Sequence, residues 1–236
     1  MELNDLQKVI VETEEPKVIV IASAAAGKTA VLTERLKYLL KKGIDPSKIV
    51  CITFTNAASE ELRKRVGDYP SLFIGTIHSY CNRLLLMSGY DTSKVIQDEN
   101  FDELFEIIKE RPQAVKEVDY LLLDESQDST EEELHFMIDI VHPKNYMLVG
   151  DYRQSIYQFK GACPGYILEL SQDWDVMTYD LNKNYRNGSR ILSFAKDIIK
   201  KNGKQYVDYS IPMHGTEGQV IEGEFTNSQI AEAIKK

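Results

Sequence analysis

The chain has 236 residues, with 28 Lys and Arg against 37 Asp and Glu, a formal net charge of −9. At 43% hydrophobic and 28% charged it has the composition of a soluble globular protein of one large domain, or one domain plus part of a second, which excludes disordered, collagen-like and disulfide-scaffold classes. Taken globally the acidic balance also argues against a nucleic-acid partner, since such domains usually carry a basic excess. Three cysteines (Cys51, Cys81 and Cys163) are too scattered for a disulfide framework or a zinc site, and their odd number points to a reducing compartment. The acidic, polar N-terminus is no secretory signal, and the longest apolar run, Val18 to Ala26, is far short of a membrane span. The expectation is therefore cytoplasmic, with no membrane partner.

In chain order, a β-branched run at Val18–Ala22 passes into Ser23-Ala24-Ala25-Ala26-Gly27-Lys28-Thr29 and then a helical pattern, Thr29–Lys41. This fits G-x-x-x-x-G-K-[ST] except that Ala22 stands at the first glycine. Such a loop aims backbone amides at phosphates and opens a helix whose positive dipole end faces them. Gly27 permits close backbone approach, Lys28 is placed to reach the β- and γ-phosphates, and the Thr29 hydroxyl to coordinate Mg²⁺. The motif predicts a nucleoside triphosphate without saying what it is for.

A strand at Ile49–Phe54, a helix at Ala57–Val66, a strand at Leu72–Ile77 and helices at Ser79–Met87 and Glu99–Glu110 follow. Tyr120–Asp124 then reads as a hydrophobic strand ending in two carboxylates. Asp124 can hold Mg²⁺ through water, and Glu125 can act as general base on the attacking water. Adjacent carboxylates are common on solvated surfaces; the position at a buried strand's end, downstream of a phosphate loop, gives this pair its weight. A helix at Thr130–Val141 precedes a strand at Tyr146–Val149, which runs into Gly150-Asp151-Tyr152-Arg153-Gln154. Gln154 is placed to sense a γ-phosphate and orient water, although a capped turn after a strand explains the segment nearly as well. The last clear strand is Val176–Leu181. Continuous apolar strands alternating with helices imply an α/β fold, a mostly parallel sheet with helices on both faces and ligands at the strands' carboxyl ends.

Taken together, seven ordered segments resemble the UvrD/Rep/PcrA family of superfamily 1 DNA helicases, from Leu3 to roughly Leu192. Leu3-Asn4-Asp5-Leu6-Gln7 resembles the Q motif, Ala22–Thr29 motif I, and Ile52–Ala58 with Glu61–Arg65 motif Ia. Gly75-Thr76-Ile77-His78-Ser79 is similar to motif Ib, Leu123–Asp128 to motif II, Gly150–Ala162 to motif III and Leu181–Arg186 to motif IV. The resemblance implies a RecA-like P-loop NTPase lobe using ATP and Mg²⁺ to move along single-stranded DNA, 3′ to 5′ as its relatives do. By it the phosphate loop is Ala22, Ser23, Ala24, Ala25, Ala26, Gly27, Lys28 and Thr29, with Thr29 and Asp124 on the metal. Gln7 would read the adenine edge, Tyr185 would stack on adenine, and Arg186 would touch the γ-phosphate beside Lys28, Glu125 and Gln154. Phe54, His78 and Phe159 would stack on bases, and Thr55, Asn56 and Thr76 would bind backbone phosphates. Without the resemblance, Phe54 and Phe159 read more readily as core and His78 as a cap on the following helix.

Several features depart from that pattern. Ser23 and Ala25 stand where glycines are common, and Ala30 where an arginine is usual. Only 45 residues separate His78 from Asp124, which leaves a shrunken 1B region at about 88–117, of two helices. Motifs V and VI, with their arginine finger, have no counterpart after Arg186. The expected division is a first motor lobe over 1–174 and the beginning of a second over 175–236, with strands at Gly218–Phe225. Such a chain would bind ATP–Mg²⁺ but turn it over poorly without a protein partner or a C-terminal motor domain. The competing class is a helicase-derived ATP- or DNA-binding module without unwinding activity. A small-molecule kinase would share the loop but leave Thr53–Ala58 and Gly75–Ser79 unexplained.

The charge is unevenly spread. Asp98 to Asp139 holds 15 acidic and 3 basic residues, a net of −12, so the remainder sums to −9 + 12 = +3. Lys183 to Asp208 holds seven basic and two acidic residues. Binding depends on the local field in a groove, so the global figure leaves room for weak, salt-sensitive DNA binding.

Overall fold

The computed structural model describes residues 2–155, 157, 159, 161–201 and 210–213. Six parallel strands form one sheet: β1 (Lys17–Ala22), β2 (Ile49–Ile52), β3 (Phe73–Gly75), β4 (Tyr120–Leu123), β5 (Asn145–Gly150) and β6 (Met177–Leu181), in the order β3-β2-β4-β5-β1-β6. The alternation of buried side chains explains why these runs are strands covered on both faces. Val18, Val20, Cys51, Leu122, Met147 and Val149 point to one side. Ile19, Val50, Ile52, Leu121, Leu123 and Leu148 point to the other. Against the first face pack α1 (Asp5–Glu12) and α2 (Lys28–Lys41), through Ile10, Leu32 and Leu36. Against the second pack α4 (Ile77–Met87), which follows α3 (Asn56–Val66), and α6 (Glu103–Lys109), which follows α5 (Ser93–Gln97), through Tyr80, Leu84, Leu104 and Phe105. Burying each such side chain stabilises the fold by about 1.5–3 kcal/mol, so the sheet is held between two continuous apolar layers.

The helix expected at Glu99–Glu110 is α6, which starts only at Glu103, and a further short helix, α5, precedes it. After α5 the chain turns with Glu99 at φ +53°, its N–H donating to Ile96 and that of Asn100 to Val95. That is a Schellman stop, with a glutamate where glycine is usual, and it ends the helix regardless of the following apolar periodicity. The helix expected at Thr130–Val141 becomes α7 (Glu131–His135), started by a Thr130/Glu133 capping box, and continues as a π-helical turn at Phe136–Ile140. β6, which the division at 174/175 assigns to a second lobe, pairs with β1 from Val18↔Met177 to Ala22↔Leu181 and so belongs to this sheet. Beyond α8 (Pro164–Leu170) and β6, a separate pair of short strands, β7 (Lys183–Asn184) and β8 (Ile211–Pro212), brackets α9 (Ser189–Lys201). The strands expected at Gly218–Phe225 lie outside the described residues. Among the described residues no helix is long and apolar enough to cross a membrane, no cluster of His, Cys, Asp or Glu could hold a metal by itself, and all three cysteines are unpaired.

Candidate functional site

Because every strand of the sheet is parallel, all their carboxyl ends meet along one edge, where the sequence-predicted residues gather in two groups. The first lies at the ends of β1, β4 and β5. β1 ends at Ala22, and the loop Ser23–Gly27 curls over the N-terminus of α2, which opens at Lys28 and Thr29. Gly27 sits at φ +89°, and a Cβ there would stand 2.6 Å from Gln7 Nε2, so this glycine is required twice over. Ala25 takes φ +56°, a left-handed conformation that costs an L-residue roughly 1–2 kcal/mol.

Across from the loop, Asp124 is buried at the tip of β4, one carboxylate oxygen accepting the Glu125 N–H at 3.0 Å. Burial, and then the neighbouring Glu125 charge, push its carboxyl up to about 6. A group so placed is stabilised as a carboxylate by a nearby cation. With the Thr29 hydroxyl at the helix start it offers the hard oxygen donors that suit Mg²⁺, so the residues present fit that ion. Lys28 Nζ meanwhile pairs with Glu125 Oε2 at 3.0 Å. Glu125 is itself at φ +50° and accepts from Gln127 Nε2 at 2.9 Å. Gln127, buried, also donates to Asp128 Oδ2 at 3.0 Å, and its Oε1 accepts the Asp151 N–H at 2.9 Å. Its amide thus ties the end of β4 to the end of β5. Gly150 makes room for this: a Cβ there would lie 2.5 Å from Ser126 Oγ and 2.6 Å from Gln127 Oε1.

Asp151 and Arg153 form a buried ion pair at 2.6 Å, and Arg153 donates onward to Ser23 Oγ at 3.0 Å. Gln154 stands exposed, its amide donating to Asp151 Oδ2 at 2.5 Å. Gln7 is buried rather than open, with Oε1 accepting the Asn4 N–H at 2.9 Å and Nε2 donating to the Ala26 carbonyl at 3.0 Å. Tyr185 is half-buried, its hydroxyl accepting from Asn4 Nδ2 at 2.6 Å, while Arg186 is exposed.

The second group lies at the ends of β2 and β3. Phe54 is 42% and Phe159 79% exposed, with the Tyr157 ring between them at centroid distances of 5.2 and 6.2 Å. Neither phenylalanine is core: Phe54 stands just past the end of β2 and Phe159 in the segment after β5, both open to solvent. Thr55 caps α3, its Oγ1 accepting the Ala58 N–H at 3.1 Å, and Asn56 begins that helix at the surface. Thr76 caps α4, accepting the Ser79 N–H at 3.3 Å, so the capping role considered for His78 belongs to Thr76. His78 packs between the Phe101 and Phe105 rings at 5.5 and 5.6 Å, with Nε2 3.9 Å from Glu133 Oε1. A cleft of about 190 Å³ runs from Phe54, Thr76 and His78 to Asp124, joining the two groups.

Four contributors went without a role in the sequence reading: Gln127, Arg153, Tyr157 and Asn184. Tyr157 carried a usable signal, since it lies two residues before Phe159 in the sequence. The others form bonds to residues distant in the chain and left none.

A sequence profile of the UvrD/REP helicase N-terminal domain matches residues 3–115 and 109–175. The "Probable DNA helicase II homolog" of Mycoplasma capricolum is 25% identical over 344 aligned positions, which cover 99% of this chain and 47% of that protein. The "ATP-dependent DNA helicase PcrA" of Staphylococcus epidermidis is 26% identical over 295 positions, covering 86% of this chain and 40% of its own length. Among solved structures, the Pif1 helicase from Candida albicans covers 76% of this chain and 40% of its own at 17% identity and a TM-score of 0.48. This chain therefore spans less than half the length of the relatives it matches.

Proposed function

Because the chain belongs to the UvrD/REP helicase family, we propose that it is the ATP-binding first lobe of an ATP-dependent DNA translocase or helicase. The reading rests chiefly on one observation: Lys28, at the mouth of a phosphate loop, is held 3.0 Å from the carboxylate that would activate water. Incoming triphosphate competes for the Lys28 ammonium. Once Lys28 turns to the phosphates, Glu125 loses its counter-charge and becomes a free base, kept in position by Gln127. Thr29 and Asp124 would hold Mg²⁺, which when bound neutralises charge developing on the phosphoryl oxygens. Gln154 would swing from Asp151 toward the γ-phosphate, Arg186 would close on it from beyond the loop, and Tyr185 would flank the base. Gln7 contributes from beneath, by supporting Ala26 and crowding Gly27.

Single-stranded DNA is the proposed track. Phe54, Tyr157 and Phe159 offer rings on which bases stack, at about 1–3 kcal/mol per base. Thr55, Asn56 and Thr76 stand at helix N-termini, where amides favour phosphate. The cleft that reaches Asp124 supplies a short path by which strand binding and nucleotide state bias each other. We further propose that the first lobe runs to Leu181 and that the chain from Asn182 begins a second one, and that movement is 3′ to 5′ in a reducing, cytosolic setting.

The test is ATP hydrolysis with and without single-stranded DNA, by this chain and by a longer natural form. DNA-stimulated hydrolysis by the longer form that Lys28→Ala abolishes is expected; a rate unchanged by Lys28→Ala would sink the assignment. Strong DNA-stimulated turnover by residues 1–236 alone would instead show that no second lobe is needed.

A further inference from the structure

The phosphate loop is short of glycine, yet it is held at four consecutive residues by segments far away in the chain. Arg153 donates to Ser23 Oγ at 3.0 Å. Asn184 Nδ2 donates to the Ala24 carbonyl at 2.8 Å, the Tyr185 N–H to the Ala25 carbonyl at 3.1 Å, and Gln7 Nε2 to the Ala26 carbonyl at 3.0 Å. Ser23 N–H also extends the ladder to the Leu181 carbonyl at 2.9 Å. A loop with Ala25 in a left-handed conformation needs such support, because nothing in an alanine favours that backbone.

Asn184 is the centre of this arrangement. It is fully buried, and its Oδ1 accepts the N–H groups of Arg186 and Asn187 at 2.9 and 2.8 Å, so one side chain both shapes the turn after β7 and grips the loop. Its own carbonyl accepts the Met213 N–H at 2.9 Å beside β8. The turn that carries Arg186 and the strand pair β7–β8 therefore cannot shift without pulling on Ala24.

We propose that Asn184 and Arg153 are positioning residues that hold the phosphate loop in its phosphate-accepting shape, so that nucleotide affinity is set partly by where the segment 182–187 sits. This rests on the nucleotide-site reading above. It assigns Asn184 to the loop, which cradles phosphates shared by ADP and ATP, and not to the γ-phosphate.

Asn184→Asp tests it: aspartate keeps the acceptor for the Arg186 and Asn187 amides but loses the Nδ2 donor to the Ala24 carbonyl and to Asn187 Oδ1, and it places a charge in a fully buried site. Ser23→Ala is the uncharged companion, removing the Arg153 contact while leaving the buried Asp151–Arg153 pair intact. Binding of Mg·ADP and Mg·ATP to residues 1–236 should weaken together, roughly five- to tenfold for Asn184→Asp and less for Ser23→Ala. In the nucleotide-free variants the amides of residues 23–27 should exchange hydrogen faster by a similar factor, with thermal unfolding little changed in Ser23→Ala. Unaltered exchange at 23–27 would overturn the proposal, as would a loss confined to ATP, which would place Asn184 with Arg186, or unchanged binding and exchange in Ser23→Ala, which would leave only the added charge to explain the Asn184→Asp result. If the unaltered chain binds neither nucleotide and Lys28→Ala changes nothing, the functional reading fails while the exchange measurement still decides whether the tethers hold the loop.

Discussion

At the ends of β1, β4 and β5 the polar groups are buried and bonded to one another, whereas at the ends of β2 and β3 the groups proposed for DNA stand at the surface. Asp124, Gln127 and Asp151 are each under 8% exposed, while Phe54 and Phe159 are at 42% and 79%. The nucleotide side is thus organised before any ligand arrives, with Lys28 and Glu125 holding each other in reserve. The strand side offers ring faces and helix ends whose contacts must be made by the ligand. The proposed motor would need that asymmetry: chemistry demands fixed geometry, whereas a track that must be released at each step is better held by modest, sequence-tolerant contacts.

Four substitutions would break or sharpen the contrast. The largest effect is expected from Glu125→Gln, which removes the base but keeps a hydrogen-bonding side chain. DNA-stimulated ATP hydrolysis by the longer natural form should fall about 10²- to 10⁴-fold. Mg·ATP binding should hold or tighten, because Lys28 loses its competitor; weaker binding would show that Glu125 shapes the site rather than acting on water. Next, Gly150→Ala drives a methyl into Ser126 and Gln127 and should cost about 1–3 kcal/mol, read as a lower unfolding temperature. An unshifted transition would mean that the end of β5 is looser than its bonding implies.

On the exposed side, Phe54→Ala should weaken single-stranded DNA binding by about 1–3 kcal/mol and leave Mg·ADP affinity unchanged. Loss of nucleotide affinity in that variant would erase the distinction between the two halves. The smallest effect is expected for Thr76→Ala, which removes the α4 cap at about 1 kcal/mol of stability. Its value lies in DNA affinity: a reduction beyond what Thr55→Ala produces would locate the firmer phosphate contact at α4.

Much of this fold was legible locally. Runs such as Val18–Ala22 and Tyr120–Leu123 are apolar on consecutive residues, which only a strand covered on both faces tolerates, and each lies where expected. Gly27-Lys28-Thr29 after a strand announced a phosphate loop because the glycine, the cation and the hydroxyl each have a separate chemical task. The helix over Glu99–Glu110 starts four residues later than its pattern suggests, because Glu99 and Asn100 are taken up in the turn that ends α5, their N–H groups bonded back to Ile96 and Val95. The boundary at 174/175 fell ahead of β6 for a related reason: β6 lies at the edge of the sheet among the described residues, mostly exposed, and its membership of the sheet depends on pairing with β1.

Side-chain type and local periodicity thus decided the class of fold and the phosphate-loop pattern, each encoded within a dozen neighbouring residues, and the order of seven such short segments between Leu3 and Leu192 made the family legible. Which loop residue is held by which distant side chain was decided only by strand order. Setting β5 and β6 on either side of β1 brings Arg153 and Asn184 to a loop 130 and 160 residues away in the chain. A hydrogen bond depends on two groups meeting within about 3 Å, and no local pattern in a sequence records a meeting that the packing of a whole sheet arranges.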